Sequence, residues 1–260
     1  MIAAPELKRF NNIAFRFFLP CQLFKNIYDS ELNAAFNPML ILYTLVCIGI
    51  VYALATISVQ KVEQTPARQG VMIQSIFRSN FVLLGLPIAK AIIHDSLGPI
   101  PLLIGIVVPI FNVLSVFTLE YYCGKAKANF RHIIQNILSN PLINASVAAL
   151  ICRSVNINVY GIYIIESSLT YLSQGATPIM LFILGASFHV NSLAKNKRAI
   201  LHCTVARLII VPLIIIPIGV ALGFRDAAIV ALLGIFATPP AANSYTMALQ
   251  MGAMRILPAI

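Results

Sequence analysis

Apolar residues fill long uninterrupted stretches of the chain, and polar residues gather in the short connections between them. No stretch alternates strictly between apolar and polar positions. The pattern predicts eight helical spans, a to h, over about residues 11–27, 35–59, 71–93, 97–122, 133–152, 160–188, 200–223 and 227–252. Most hold the ~20 residues needed to cross a hydrocarbon layer of roughly 30 Å. Span a is the weakest, interrupted by Arg16 and Pro20. A transmembrane barrel would alternate, and these runs do not. The expectation is an all-α integral membrane bundle, one transmembrane domain over residues 1–260 with no soluble domain.

Composition sharpens this picture. Of 260 residues, 59% are hydrophobic and 10% charged, and the mean hydropathy is +0.88, outside the range of soluble domains. The formal charge of +10 would suggest nucleic acid in a soluble protein, but here Lys and Arg sit in connections, where they orient a membrane chain. Assigning connections alternately to two sides gives one side thirteen: Lys8, Arg9, Arg16, Lys61, Arg68, Arg78, Lys125, Lys127, Arg131, Lys195, Lys197, Arg198 and Arg255. The other receives four, Lys25, Lys90, Arg153 and Arg225, while Arg207 lies within span g. The richer side is expected to be cytoplasmic, with both termini on it, in a cell membrane of bacterial type. Cys21, Cys47, Cys123, Cys152 and Cys203 form no CxxC pair and read as small apolar side chains. The charges at the start of the chain fall where a signal peptide would be apolar.

An internal repeat changes the functional outlook. "PCQLF" from Pro20 and "PIMLF" from Pro178 share P-x-x-L-F at a separation of 158. "FRSNFVLLGLPIAKA" from Phe77 and "FATPPAANSYTMALQ" from Phe236 lie 159 apart. By the charge count, the paired segments run in opposite directions. Inverted repeats with interrupted helices in corresponding positions are the sequence signature of secondary transporters.

The interruptions themselves suggest a site. Proline lacks a donor and clashes with the preceding turn, so "GLP" at Gly85–Pro87 and "TPP" at Thr238–Pro240 are predicted to break spans c and h. Broken backbone at membrane depth is tolerated only inside protein or beside water. If the two breaks cross, the amino-terminal ends of their half-helices gather unpaired N–H groups that suit a small anion, typically a carboxylate, with no fixed cation required. Asn80, Ser79, Thr238, Asn243 and Ser244 lie close enough to add hydrogen bonds. One such helix alone would be read as a simple kink; two at matched positions favour the site. Pro101, Pro109, Pro212 and Pro217 lack polar companions and read as kinks, and Asn140 reads as the cap of a helix opened by Pro141.

Three ionisable residues remain as candidates. Arg207, about a third of the way into span g, is either a functional cation or snorkels to the cytoplasmic interface. Arg78 is expected to face the cytoplasmic headgroups, with a gating role as the alternative. Glu166, near the outer end of span f, is a candidate for proton coupling, with an interfacial position the plainer reading. HExxH, GxSxG and Walker motifs are missing, and His94, His132, His189 and His202 are dispersed. No enzyme activity, cofactor or metal is expected.

The ordered blocks "FFLPCQLFKNIY", "FRSN...GLP", "NPLINAS", "GATPIMLFILGASF" and "PPAANSYTMA" resemble the auxin efflux carrier family, which includes plant auxin exporters and bacterial malate or malonate permeases. The resemblance covers nearly the whole chain. It implies a ten-helix fold of two inverted five-helix repeats, of which the eight spans match helices two through nine, with the first and tenth expected to be missing. It implies a crossing at Pro87 and Pro240, a substrate carboxylate beside Asn80, and a lining from Thr238, Pro239 and Asn243. It further implies elevator-like alternating access and a homodimer. Plant members keep an acidic residue in the third helix, and span b has none, so proton coupling through that position is not expected. The expected function is secondary transport of a small organic anion. The alternative is a truncated, non-transporting or ligand-sensing module of the same family.

Overall fold

The computed structural model describes residues 4–29, 37–93, 97–123, 135, 138–186 and 190–251. Eight helical passes follow one another among these residues, one for each span. The first is α1 (Ala4–Ile13), a π-turn (Ala14–Phe18) and α2 (Leu19–Tyr28). Next come α3 (Pro38–Val62) and the broken third pass, α4 (Pro66–Phe77), a π-turn (Phe81–Gly85) and α5 (Leu86–Ile92). Then α6 (Ile100–Cys123), α7 (Pro141–Ser154) and α8 (Tyr163–Ala186) follow. The seventh pass is α9 (Val190–Val205), a π-turn (Ala206–Ile210) and α10 (Val211–Ala221); the eighth is broken into α11 (Asp226–Phe236) and α12 (Asn243–Gln250).

Among the described residues, four helices are long and apolar enough to cross a membrane: Pro38–Val62, Ile100–Tyr122, Tyr163–Ala186 and Asn196–Ala221. The other passes are broken, short or more polar. Span e is shorter than its apolar run, because Asn140 accepts a hydrogen bond from the Leu142 amide at 2.9 Å and Pro141 opens α7 as expected. His94, Asp95, His132, His189 and several residues of the charge count, including Lys125, Lys127, Arg131 and Arg255, lie outside the described residues.

Three prolines, one of them at a predicted break, are absorbed without breaking the helix. Pro20, Pro87 and Pro212 each stand two residues beyond a π-turn, and the residue before each proline bonds five residues back: Leu19 to Ala14, Leu86 to Phe81, and Val211 to Ala206. The wider turn makes room for the pyrrolidine ring and re-pairs the backbone it disturbs. The expected break at "GLP" is therefore corrected to a π-turn, and the third pass opens earlier, at Arg78–Asn80.

The core is built around the two broken passes. Phe77, Phe81 and Phe236 are among the largest fully buried side chains, and Phe77 packs edge-on against Tyr52 of α3. Met39, Leu42, Val46, Ile50 and Leu54 of α3, with Leu213, Ile214 and Ile218 of α10, turn outward. Apolar helix faces of this kind suit lipid, and the polar groups are drawn inward.

Candidate functional site

Helix α4 ends at Phe77 and α11 at Phe236, the same 159-residue offset that relates the two sequence blocks. Beyond those ends the two chains meet. The Asn80 amide donates to the Pro239 carbonyl at 2.9 Å, and Ser79 and Pro240 form an isolated antiparallel bridge. Pro239 and Pro240 have no N–H to continue a helix, so α11 stops as predicted. On the far side, a Cβ added to Gly85 would lie 3.0 Å from the Gly234 Cα and 2.7 Å from the Phe81 ring. The two passes thus touch backbone to backbone, with Phe81 filling the angle between them.

A cavity of about 40 Å³ opens at this crossing. Arg78, Ser79 and Asn80 from the first break, Asn243 from the start of α12, Gln22 and Asn26 from α2, and Asn112 from α6 line it. Arg78 is 3% exposed, and its Nη2 donates to Asn112 Oδ1 at 2.7 Å, while Nη1 donates to Met247 Sδ. The ion pairs among the described residues are Lys25–Asp29 and Arg68–Glu63, so Arg78 has no carboxylate partner there. Ser79 Oγ, Asn112 Nδ2 and Asn243 Oδ1 are buried without hydrogen-bond partners. An uncompensated buried guanidinium beside unsatisfied polar atoms is costly unless something else pairs with it.

Larger cavities flank this one. A cavity of about 330 Å³ shares Asn26 and Val82 with it and reaches Asp29 and Lys90. At that end Lys25 pairs with Asp29 at 3.0 Å and donates to the Tyr160 hydroxyl at 3.0 Å, tying α2 to the connection between α7 and α8. Burial, with the hydrogen bond to Asp29, pushes the Tyr160 phenol up to about 12, so it stays protonated. A third cavity of about 250 Å³ lies across Ala241, lined by Pro240, Ser244, Ser75 and Cys203.

The predicted residues thus sort by place. Asn80 and Asn243 line the central cavity; Pro240 and Ser244 line the third one. The Thr238 hydroxyl donates to the Gly234 carbonyl at 2.8 Å and its carbonyl accepts from Arg207, so Thr238 is a strut, as is Pro239. Gly85 is the close-approach point. Pro87 is exposed, one π-turn past the break, and the crossing it was expected to make falls to Ser79 and Asn80. Glu166 is exposed in the first turn of α8 and lines none of these cavities. Arg78, expected at the headgroups, is buried at the crossing because α4 starts at Pro66 and carries it three turns inward. Arg207 is wholly buried, with its guanidinium on backbone carbonyls at the crossing. Asn112, Gln22 and Asn26 were missed; the signal for Asn112 was a lone carboxamide within the apolar run of span d.

Two interrupted helices crossing inside an apolar bundle, with polar groups turned to a cavity at the crossing, define a multi-pass membrane transporter. The profile of the family described as Membrane transport protein matches residues 1–257, and the chain belongs to that family, the auxin-efflux-carrier-like membrane transport proteins. No curated protein matches it by sequence.

Proposed function

We propose that the chain is a secondary carrier, not an enzyme, that moves a small organic anion with a carboxylate head across the cell membrane, with the carboxylate bound at the crossing. The observation that carries this reading is Arg78: a buried guanidinium facing a cavity with no carboxylate of its own. It supplies the fixed cation that the half-helix ends alone were expected to do without. A carboxylate at that point would pair with Arg78 and accept from Asn112 Nδ2 and the Ser79 hydroxyl, groups that have no other partner. Asn80 and Asn243 would complete its surroundings from the two breaks. The side bearing Lys25 and Lys90 is external and the termini cytoplasmic in this reading, so the 330 Å³ cavity is the outer approach and the 250 Å³ cavity the inner one. Movement of the crossing as a unit past the rest of the bundle, elevator-like, would expose the site to each in turn, in one subunit of a homodimer.

Purified protein in liposomes tests the proposal. Uptake of a radiolabelled mono- or dicarboxylate is expected, with Arg78→Gln lowering it by about 100-fold, the loss of one buried charge-assisted contact. Uptake by Arg78→Gln equal to that of the parent protein would remove the crossing from the mechanism.

A further inference from the structure

Arg207 is absent from the cavity lining, yet it is the largest fully buried side chain. Its Nε donates to the Thr238 carbonyl at 2.9 Å, its Nη1 to the carbonyls of Ile76 at 3.2 Å and Phe77 at 3.3 Å, and its Nη2 to that of Ile235 at 2.5 Å. Ile76 and Phe77 close α4, Ile235 lies one residue before the end of α11, and Thr238 stands in the break that follows. The carbonyls of Ile76, Phe77 and Ile235 are among those that a helix leaves without partners at its carboxyl end.

Each such end carries about half a negative elementary charge, so two converging on one point present about one full negative charge. Four carbonyl oxygens around that point, deep inside the protein, form the kind of cage that holds a desolvated monovalent cation. The guanidinium fills it, matching the charge and spreading its donors over both passes.

We infer that Arg207 is a tethered cation: it occupies the place that an exchangeable sodium or potassium ion would otherwise take, and locks the ends of α4 and α11 into one unit. It is a positioning residue, acting on the anion site through the backbone at Phe77 and Thr238, which lead directly into Arg78 and Pro239. The lock stands on the carbonyl geometry alone. Its consequence, an anion site whose assembly needs no alkali cation, rests on the proposed carrier function.

Thermal melting of the purified protein without substrate separates the two. The parent protein is expected to melt at the same temperature in choline, sodium and potassium chloride. Arg207→Ala is expected to melt roughly 10 °C lower, and methylguanidinium at a non-denaturing concentration should recover at least half of that loss while leaving the parent unchanged. Arg207→Gln, which keeps most of the side-chain bulk without the charge, carries the same comparison if the alanine variant does not fold. A variant that melts with the parent, a destabilised variant that methylguanidinium does not restore, or a parent protein stabilised by sodium or potassium over choline would each overturn the inference. None of these readings depends on whether an anion is carried.

Discussion

Arg78 and Arg207 stand on opposite sides of the same crossing, both buried, and the protein treats them in opposite ways. Arg207 meets four backbone carbonyls, three from two helix ends and one from the break that follows α11. Arg78 meets one carboxamide oxygen and a thioether, beside a cavity with three unpartnered polar atoms. The difference follows from direction. Carboxyl ends of α4 and α11 converge on Arg207 and satisfy a cation, whereas the segments that begin at Phe81 and Asn243 present amino-terminal ends on the side of Arg78. There the dipoles add to its charge instead of cancelling it. A saturated cation is structural, and an unsaturated one awaits a partner.

The comparison can be broken most sharply by giving Arg78 a permanent partner. Asn112→Asp would place a carboxylate where Oδ1 now accepts from Arg78 at 2.7 Å. Anion binding is then expected to fall by about 100-fold, with the melting temperature unchanged or raised, because a buried unpaired charge has been compensated. Titration of a carboxylate by calorimetry reads the first and a melting curve the second; binding equal to the parent would show that the anion does not use Arg78.

A smaller effect is expected at the contact that holds the two sides in register. Gly85→Ala would drive a methyl group against the Phe81 ring and the Gly234 backbone, costing about 1–3 kcal/mol in stability. Chemical unfolding of the variant measures it, and a cost near zero would mean that the passes separate easily at that point. The smallest effect belongs to Pro87→Ala. The residue is exposed and its strain is already taken up by a π-turn, so stability should change by less than about 0.5 kcal/mol. Loss of uptake in this variant would return Pro87 to the crossing.

Much of this was legible in the chain. The repeat offset located the two breaks, and Phe77 and Phe236, the first residues of the matched blocks, are the last residues of the two broken helices. The double proline of "TPP" did stop its helix, since Pro239 and Pro240 remove consecutive donors. The single proline of "GLP" did not, because sequence gives no sign of whether a lone proline yields a break or a π-turn. Arg78 was misplaced, and Arg207 left between two readings, for one reason: their helices begin before the apolar run does. α4 starts at Pro66 and α9 at Val190, in polar sequence, so residues near the edge of a hydropathy window stand deep in the bundle. Asn112, Gln22 and Asn26 come from three different turns of α6 and α2, and only tertiary packing brings them beside the breaks.

The contact between Gly85 and Gly234 has a mechanical corollary. Where backbone lies on backbone, no rotamers are available to yield, so a displacement of one strut is handed to the other undiminished. With the guanidinium of Arg207 joining α4 to α11 before the break and this contact joining the π-turn to α11 after it, both halves of the third pass are held to one helix, and any flexing during a transport cycle is left to the joints around them.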